Sequence, residues 1–400
     1  MEPGNQLRWF VCLLALGTAW PLTPFDYNYY FGQAYVLDRI LLGALVVLLW
    51  LRPLFIYPFL LLAFAILSQL ALVELSGSIL AHKLQVLHVL NLFGATFLIH
   101  AITRSPRTQN FGFLTCCLVA SAYCVAAMAK LDVDWFAQGH LLLILPAAYA
   151  HGWLGQLDPN SIVELTNLIA PFDLLIRVMV VAVEGACLIF LWNRRWSMIL
   201  LAGVMLFHVA VFALYGFLFW TWVLVDSALL VVLFRYRATR ELGFYTRTYA
   251  LASIVLITVA SSWAMPPQLG WLDMWVTYSF QIEAIDTDGN QYTLAPRYFA
   301  PYEDYFTMAS FGYLVHDRRM PSGPYGVSKS PAQAQLLFGI RNAQDLFDLE
   351  SDQGAVRYKQ DKVEQFRSFV ERFAAAKNNL ASSNMSRRWW RALRQFWSHP

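Results

Sequence analysis

Long apolar segments separated by short loops fill the first two-thirds of the chain, and they constrain the fold more than any other feature. A helix needs about 20 apolar residues to cross the hydrocarbon core of a bilayer. Segments near this length lie at 7–23, 35–52, 54–74, 84–103, 111–130, 172–192, 196–214, 217–234 and 249–265. They predict a mainly α fold, a polytopic membrane helix bundle of about nine spans. Only 14% of the chain is charged, against roughly 25% in an average soluble domain.

The positions of the arginines predict how this bundle is oriented, because cytoplasmic loops are enriched in Lys and Arg. If the segments simply alternate, the loops on one side contain Arg8, Arg52, Arg104, Arg107, Arg194, Arg195, Arg235, Arg237, Arg240 and Arg247. The opposite loops contain only Lys83 as an unambiguous loop cation. We therefore expect a protein integral to the cytoplasmic (inner) membrane, with its N-terminus in the cytoplasm and its C-terminal domain extracytoplasmic.

Two stretches in this region depart from the pattern of spans. Met1 to Trp20 contains one arginine and a short apolar run, as a signal peptide does, but no clear small-x-small cleavage site follows, so a retained first helix is preferred. The apolar run 141–150 is too short to cross a bilayer and contains Pro146. Residues 131–171 are therefore interpreted as a re-entrant or interfacial element.

The composition changes after Pro266-Pro267, where acidic residues become frequent. The chain is therefore divided into a transmembrane domain at 1–266, an extracytoplasmic α+β domain at 267–380 and a basic aromatic tail at 381–400. The tail is amphipathic from Ser386 to Trp397, which predicts a helix that lies on lipid or packs on its own domain.

Within the α+β domain, residues alternate in 276–285 and again in 291–294, with Asp288-Gly289-Asn290 between them. This pattern predicts a strand, a turn and a second strand. Ser330-Pro331 predicts the start of a helix that continues to about Asp348. A second helix is indicated by an apolar stripe that consists of Val363, Phe366, Phe369, Val370 and Phe373.

Charge, cysteine positions and the absence of common catalytic motifs make several functional classes less favoured. The net charge of +3 is small and scattered, so nucleic acid is not an expected partner. All five cysteines lie in apolar segments, with no disulfide framework and no metal-ligand spacing, and are expected to be core residues. The chain has no nucleotide-binding glycine motif, no H-E-x-x-H pair and no nucleophile elbow.

Lys130 is the most informative ionisable residue, because it ends an apolar helix and is followed by Asp132, Asp134 and Trp135. A lysine shielded from water holds its proton less tightly, and the neutral amine is then able to act as a general base. Asp132 and Asp134 are expected to oppose or tune this effect, as part of a supporting polar network around the lysine. The alternative is a lysine that snorkels to the outer membrane boundary, with Trp135 as an interface anchor.

A second group of ionisable residues lies within the later spans. Asp173 and Arg177 are an i, i+4 pair, Glu184 lies two turns further on the same face, and His208 is on the following segment. They predict a buried polar network, in which Glu184 and His208 either tie two helices together or act on a ligand or proton. His88 is a third candidate for ligand binding, proton transfer or helix contact, and Asp226 is assigned no role.

These residues resemble a known family. The segment Lys130-Leu-Asp-Val-Asp-Trp135, preceded by Tyr123 and a helix of small residues, is similar to the Lys-Leu-Asp-Ala-Asp-Trp segment of the vitamin K-dependent gamma-glutamyl carboxylases, which belong to the horizontally transferred transmembrane (HTTM) domain family. Glu184 and His208 match an acidic residue and a histidine on consecutive spans of the carboxylases. The resemblance covers roughly residues 34–235, although Ala127-Met128-Ala129 replaces the carboxylase Gly-Val-Lys.

The resemblance implies a lyase that uses a quinol such as vitamin K hydroquinone. Lys130 would be the base that deprotonates the quinol, which oxygen converts to a stronger base that acts on a peptide glutamate, and His88 would support the carboxylation step. Two hypotheses follow. The chain is a quinol-linked membrane enzyme acting on a secreted peptide or lipid-soluble substrate, or it is a non-catalytic subunit or maturation partner of a membrane complex.

Overall fold

The computed structural model is mainly helical, with one small sheet. It describes residues 3–22, 37–71, 84–103, 108–132, 135–136, 145–146, 148–149, 153–215, 219–235, 243–263, 282–299, 306, 311–316, 343–353 and 357–382.

Each of the nine apolar segments contains a helix, which confirms the helical part of the prediction. These helices, with one extra helix between the fifth and sixth segments, are α1 (Pro3–Leu22), α2 (Leu37–Leu51), α3 (Ile56–Ala71), α4 (Leu84–Thr103), α5 (Thr108–Asp132), α6 (Pro159–Ile169), α7 (Asp173–Ala186), α8 (Arg194–Tyr215), α9 (Trp220–Arg235) and α10 (Arg247–Trp263). The segment 172–192 is less regular than expected, because α7 is followed by the 3-10 turn Cys187–Ile189.

The central helix of the bundle is α5, which packs against α4, α7 and α10 and against the turn at Cys187–Ile189. Small buried residues, among them Ala120, Cys124 and Ala127, recur along α5. Small side chains let neighbouring helices approach closely. The buried polar side chains of α5, which are Thr115, Ser121, Tyr123 and Lys130, therefore lie against neighbouring helices and not against solvent.

The outer surface of the bundle is apolar. Large apolar side chains are exposed on several helices, and they include Leu61 (74%), Ile102 (72%), Leu206 (70%) and Leu251 (65%). Among the described residues, only Asn110–Met128 and Arg194–Leu214 are helices both long and apolar enough to cross a bilayer by length and composition. Shorter apolar helices lie within α1, α2, α3, α4, α9 and α10.

Helix α6 lies in the stretch interpreted from the sequence as re-entrant or interfacial. Asp158 caps it by accepting a hydrogen bond from the Asn160 backbone N–H at 3.0 Å, and Pro159 occupies its first position. Ile162 is buried, whereas Val163 and Leu168 are exposed. The helix is thus amphipathic, with an apolar surface that the described part of the chain leaves open.

The strand, turn and strand expected after residue 276 are present as β1 (Glu283–Ile285) and β2 (Gln291–Thr293), which pair antiparallel. Residues 276–281 lie outside the described part. Gly289 has φ +85°, a conformation that side chains with a Cβ rarely adopt. Asp286 accepts hydrogen bonds from the Asp288 and Asn290 backbone N–H groups, so the turn is held by one carboxylate.

Two helices complete the described part of the C-terminal region, α11 (Ala343–Gln353) and α12 (Gln360–Ser382). The predicted stripe of α12 is confirmed at Phe369 and Phe373, which are fully buried. Their rings contact those of Phe299, Phe306 and Phe366, and Phe311 in turn contacts Phe306 and Phe366. The predicted start of a helix at Ser330-Pro331 and the tail at 386–397 lie outside the described residues, and α11 ends at Gln353, beyond the expected Asp348.

Acid is expected to loosen the β-hairpin. Hydrogen bonds from the Asn290 side chain and backbone lower the pKa of Asp286 from its ordinary value, with smaller contributions from Tyr292 and Asp288. A carboxyl group whose pKa is lower when folded stabilises the fold above its unfolded pKa, and this contribution disappears as the pH falls through the folded pKa. Asp286→Ala should therefore speed amide hydrogen exchange at Asp288 and Asn290 at neutral pH. Asp288→Ala is the control, and equal effects of both substitutions would contradict the assignment.

Candidate functional site

A buried ion pair joins α5 to α7 inside the bundle. The Lys130 Nζ lies 2.7 Å from Oε2 and 3.0 Å from Oε1 of Glu184. The exposed fraction is 0% for Lys130 and 3% for Glu184. A charge transferred from water to such an environment is costly unless it is paired, so each of these two groups requires the other.

The Lys130 amine is enclosed by its own helix and by an indole ring. The carbonyl oxygen of Ala126, one turn earlier, lies 3.5 Å from Nζ. The ring of Trp135 is centred 5.6 Å from Nζ. The backbone N–H of Trp135 donates a hydrogen bond to the Lys130 carbonyl oxygen at 3.2 Å. Trp135 is fully buried. The chain thus turns back over Lys130 directly after α5, so this lysine does not snorkel to the surface in this conformation.

A second ion pair lies on the same face of α7, two turns before Glu184. Arg177 Nη2 lies 2.6 Å from Oδ2 of Asp173, and both side chains are buried. Arg177 Nη1 also donates to the Trp135 carbonyl at 2.8 Å, and the Trp135 indole N–H donates to the Arg177 carbonyl at 3.3 Å. These two hydrogen bonds hold the indole over Lys130. The contact between Arg177 and Asp173 confirms the predicted pair.

A third polar cluster lies on α5 two turns before Lys130. The Tyr123 hydroxyl lies 2.5 Å from Oδ2 of Asp226 on α9 and 2.9 Å from Nε2 of His208 on α8. All three residues are at most 4% exposed. His208 also contacts aromatic rings, whose centroids lie 5.3 Å away at Phe219, 5.5 Å at Phe207 and 6.2 Å at Trp222.

The structure therefore brings the predicted polar residues together in a different pairing. Glu184 pairs with Lys130, and His208 pairs with Tyr123, so the expected contact between Glu184 and His208 is wrong. Sequence periodicity places these residues on inner faces but does not tell which helices are neighbours. Tyr123 and Asp226 belong to the site although neither was predicted to act there. The sequence feature that could have identified Asp226 is its position as a single carboxylate within an apolar segment, where a charge is costly.

Other predicted site residues lie apart from these clusters or outside the described part. The His88 side chain is exposed on α4, and among the described residues no hydrogen bond joins it to Lys130, so its supporting role stays a prediction. Asp132 closes α5, but its side chain and the whole of Asp134 are not among the described groups. Their predicted influence on the proton affinity of Lys130 therefore also stays a prediction.

Chemically, the Lys130–Glu184 pair is suited to holding and passing a proton. The Glu184 carboxylate lies within hydrogen-bond distance of the Lys130 amine. A proton that leaves Nζ therefore has an acceptor, Oε2 of Glu184, at 2.7 Å. Transfer of that proton would leave a neutral amine and a neutral carboxyl group, and neutral groups are cheaper to bury than charged ones.

Comparison with known proteins adds no assignment to this geometry, since no protein-family model, no curated protein and no solved structure matches the chain.

Proposed function

We propose that the chain is a polytopic protein of the cytoplasmic membrane in which the nine apolar helices cross the bilayer, with the small α+β domain outside the cytoplasm. The apolar side chains exposed on α3, α4, α8 and α10 support this, because a lipid surface accepts them and water does not. A second support is that ionisable side chains within three of these helices are buried, as expected of charges in a membrane bundle. They are Lys130 on α5, Asp173, Arg177 and Glu184 on α7, and Asp226 on α9.

Within this bundle we propose a proton-transfer enzyme, resembling the vitamin K-dependent carboxylases, with Lys130 as general base and Glu184 as its proton acceptor. The single observation that carries the proposal is the fully buried contact between Nζ and both oxygens of Glu184. A base must be neutral to take a proton, and Glu184 provides the place where the ammonium proton goes. Trp135 and Arg177 would keep water from the amine and hold its position.

The donor set fits a lipid-soluble quinol, because a shielded amine next to a carboxylate is suited to removing the proton of a phenolic hydroxyl. When bound, the quinol would supply, with oxygen, the stronger base that acts on a secreted peptide or another lipid-soluble substrate. Lys130 would take the first proton, and the Trp135 ring would need to move aside, since it covers the amine.

A second candidate function is a non-catalytic subunit or maturation partner of a membrane complex. The observation that favours it is the complete burial of Lys130, which leaves no surface of the amine open to a substrate in this conformation. Under this interpretation the ion pairs hold α5 and α7 together, and the α+β domain docks another protein.

Quinol chemistry by the isolated protein separates the two candidates. The full chain in lipid nanodiscs is expected to retain a quinone that mass spectrometry detects, and to consume vitamin K hydroquinone in an oxygen-dependent manner. The matched control is Glu184→Gln, which keeps the shape of the acceptor but removes its charge. Absence of quinone together with unchanged hydroquinone would exclude the enzyme and leave the subunit.

Topology is a separate prediction, because it rests on the arginines and not on the ion pair. A reporter fused after Asp273 or at Pro400 should report the extracytoplasmic side, and one placed between Arg235 and Arg247 the cytoplasm. The measurement is paired fusion to an enzyme active only outside the cytoplasm and to one active only inside it. The opposite result at either site would overturn the nine-span arrangement.

A further inference from the structure

The cluster of Tyr123, His208 and Asp226 has an unusual balance of hydrogen bonds. Asp226 is 0% exposed, and its Oδ2 contacts the Tyr123 hydroxyl. Its Oδ1 has no hydrogen-bond partner, and among the described residues no cation pairs with Asp226. One hydroxyl does not compensate a bare carboxylate for the loss of water. An ionised Asp226 beside a neutral His208 would therefore be costly. The cluster requires one additional proton, carried either by Asp226 or by His208.

Two arrangements place that proton without moving a heavy atom. In the first, the Asp226 carboxyl group donates to the Tyr123 oxygen, and the Tyr123 hydroxyl donates to Nε2 of a neutral His208. In the second, the Nε2–H of a charged His208 donates to the Tyr123 oxygen, and the Tyr123 hydroxyl donates to the Asp226 carboxylate. Both use the observed contacts of 2.5 Å and 2.9 Å, and both leave Nδ1 of His208 and Oδ1 of Asp226 without partners, as the structure has them.

The surroundings of His208 bear on the second arrangement, in which the imidazole is charged. Tyr123, Phe207, Phe219 and Trp222 lie within 6.2 Å of its ring. The faces of aromatic rings attract a cation, and the Asp226 carboxylate across the hydroxyl balances the imidazolium charge. The first arrangement instead has no separated charges, which favours it in an apolar interior.

We propose that Tyr123, His208 and Asp226 form a proton-storing triad, in which one proton passes between the Asp226 carboxyl group and the His208 imidazole through the Tyr123 hydroxyl. The transfer breaks the Asp226 O–H and Tyr123 O–H bonds and forms a new Tyr123 O–H and the His208 Nε2–H bond. No oxidant or further reactant is involved. The triad does not depend on the catalytic role of Lys130.

The triad nevertheless lies close to the Lys130–Glu184 pair. Tyr123 and Lys130 are seven residues apart on one face of α5, which corresponds to about 10 Å along the helix. Among the described residues, Glu184 on α7 and Cys187 after it are titratable groups that interact electrostatically with Tyr123, and Cys124 on α5 interacts in the same way with Cys187. A change of charge at the pair therefore shifts the position of the stored proton.

Infrared spectroscopy of the full chain in nanodiscs at neutral pH tests the triad, using the carbonyl stretch of a protonated carboxyl group. Wild type should show such a band, and Asp226→Asn should lose it. His208→Phe, which removes the second site for the proton, should strengthen the band, by about twofold if both arrangements are equally populated. Tyr123→Phe should strengthen it similarly, because the imidazole no longer reaches the carboxyl proton.

The control is Tyr57→Phe, which removes a hydroxyl that donates to the Gly94 carbonyl and should leave the band unchanged. Equal bands in wild type, Tyr123→Phe and His208→Phe would overturn the proposal, and so would absence of the Asp226 band from all of them. Because the band is read without turnover, these outcomes do not depend on whether the protein is an enzyme.

Discussion

Replacing Lys130 by methionine is expected to lower the free energy of unfolding of the bundle by about 3–5 kcal/mol, the usual effect of removing one partner from a buried ion pair. The cause is Glu184, which is 3% exposed and would lose its cation at 2.7 Å. Thermal unfolding in detergent measures the change. Met128→Leu is the control, because Met128 is exposed on the same helix and should leave stability nearly unchanged.

The double variant Lys130→Met/Glu184→Met should recover most of this loss. Two apolar side chains of similar volume remove both charges, and such replacements of buried ion pairs are often neutral or stabilising. The double variant then separates chemistry from stability. If it folds as well as wild type but no longer consumes hydroquinone, the pair is catalytic. If it folds and remains fully active, the pair only holds α5 against α7, and the assignment of Lys130 as the general base fails.

Lys130→Arg is a less clean test than the double variant. Arginine stays charged at any usable pH and so cannot be a neutral base. Lys130 is fully buried beneath the Trp135 ring, so the larger guanidinium would also strain the packing. Loss of function in Lys130→Arg therefore supports the catalytic role only where its stability matches that of wild type. Full function in this variant would argue strongly against a base at this position.

Arg177→Met is expected to have the second large effect, again about 3–5 kcal/mol of lost stability, because it leaves the buried Asp173 without a cation. It also removes the hydrogen bond to the Trp135 carbonyl. The indole over Lys130 is then held less firmly, so the amine should become more accessible to water.

Thermal unfolding measures the loss of stability in Arg177→Met. The shielding of Trp135, one of 15 tryptophans, is measured as the difference in quenching by a water-soluble quencher between each variant and the same variant with Trp135→Phe. Arg177→Met/Asp173→Leu should restore stability but not the position of Trp135. Arg195→Ala is the control, since that arginine is exposed in the first turn of α8. If the double variant restored the shielding of Trp135 as well, the arginine would have no positioning role.

The secondary structure of the bundle could be predicted from the sequence because long apolar runs leave few alternatives to a helix. Helix α6 was missed, since it is short and lies in a mixed stretch, although Asp158-Pro159 is a typical helix start. The β-hairpin was predicted because Asp288-Gly289 is a strong turn signal. The helices and the hairpin could be predicted because each depends on residues that are close together in the sequence.

The arrangement of the site was less predictable, because it depends on which helices are neighbours. Asp173 and Arg177 share one helix, so their pairing follows from spacing alone. Glu184 instead pairs with a residue 54 positions away, and Tyr123 contacts Asp226 across 103 positions. No pattern within a single segment of this sequence indicates either contact. The prediction of Glu184 with His208 failed for this reason, as it assumed that consecutive helices share their polar groups.

The two ion pairs on α7 have a consequence for how the protein is made. If α7 enters the membrane during synthesis, it brings Asp173, Arg177 and Glu184 into lipid, at about 2.5–3.5 kcal/mol for each charge near the centre of a bilayer. Asp173 and Arg177 neutralise each other within the helix, but the cation for Glu184 is on α5. Under the proposed membrane arrangement, the charge of Glu184 is therefore compensated only once α7 lies against α5, which precedes it in the chain.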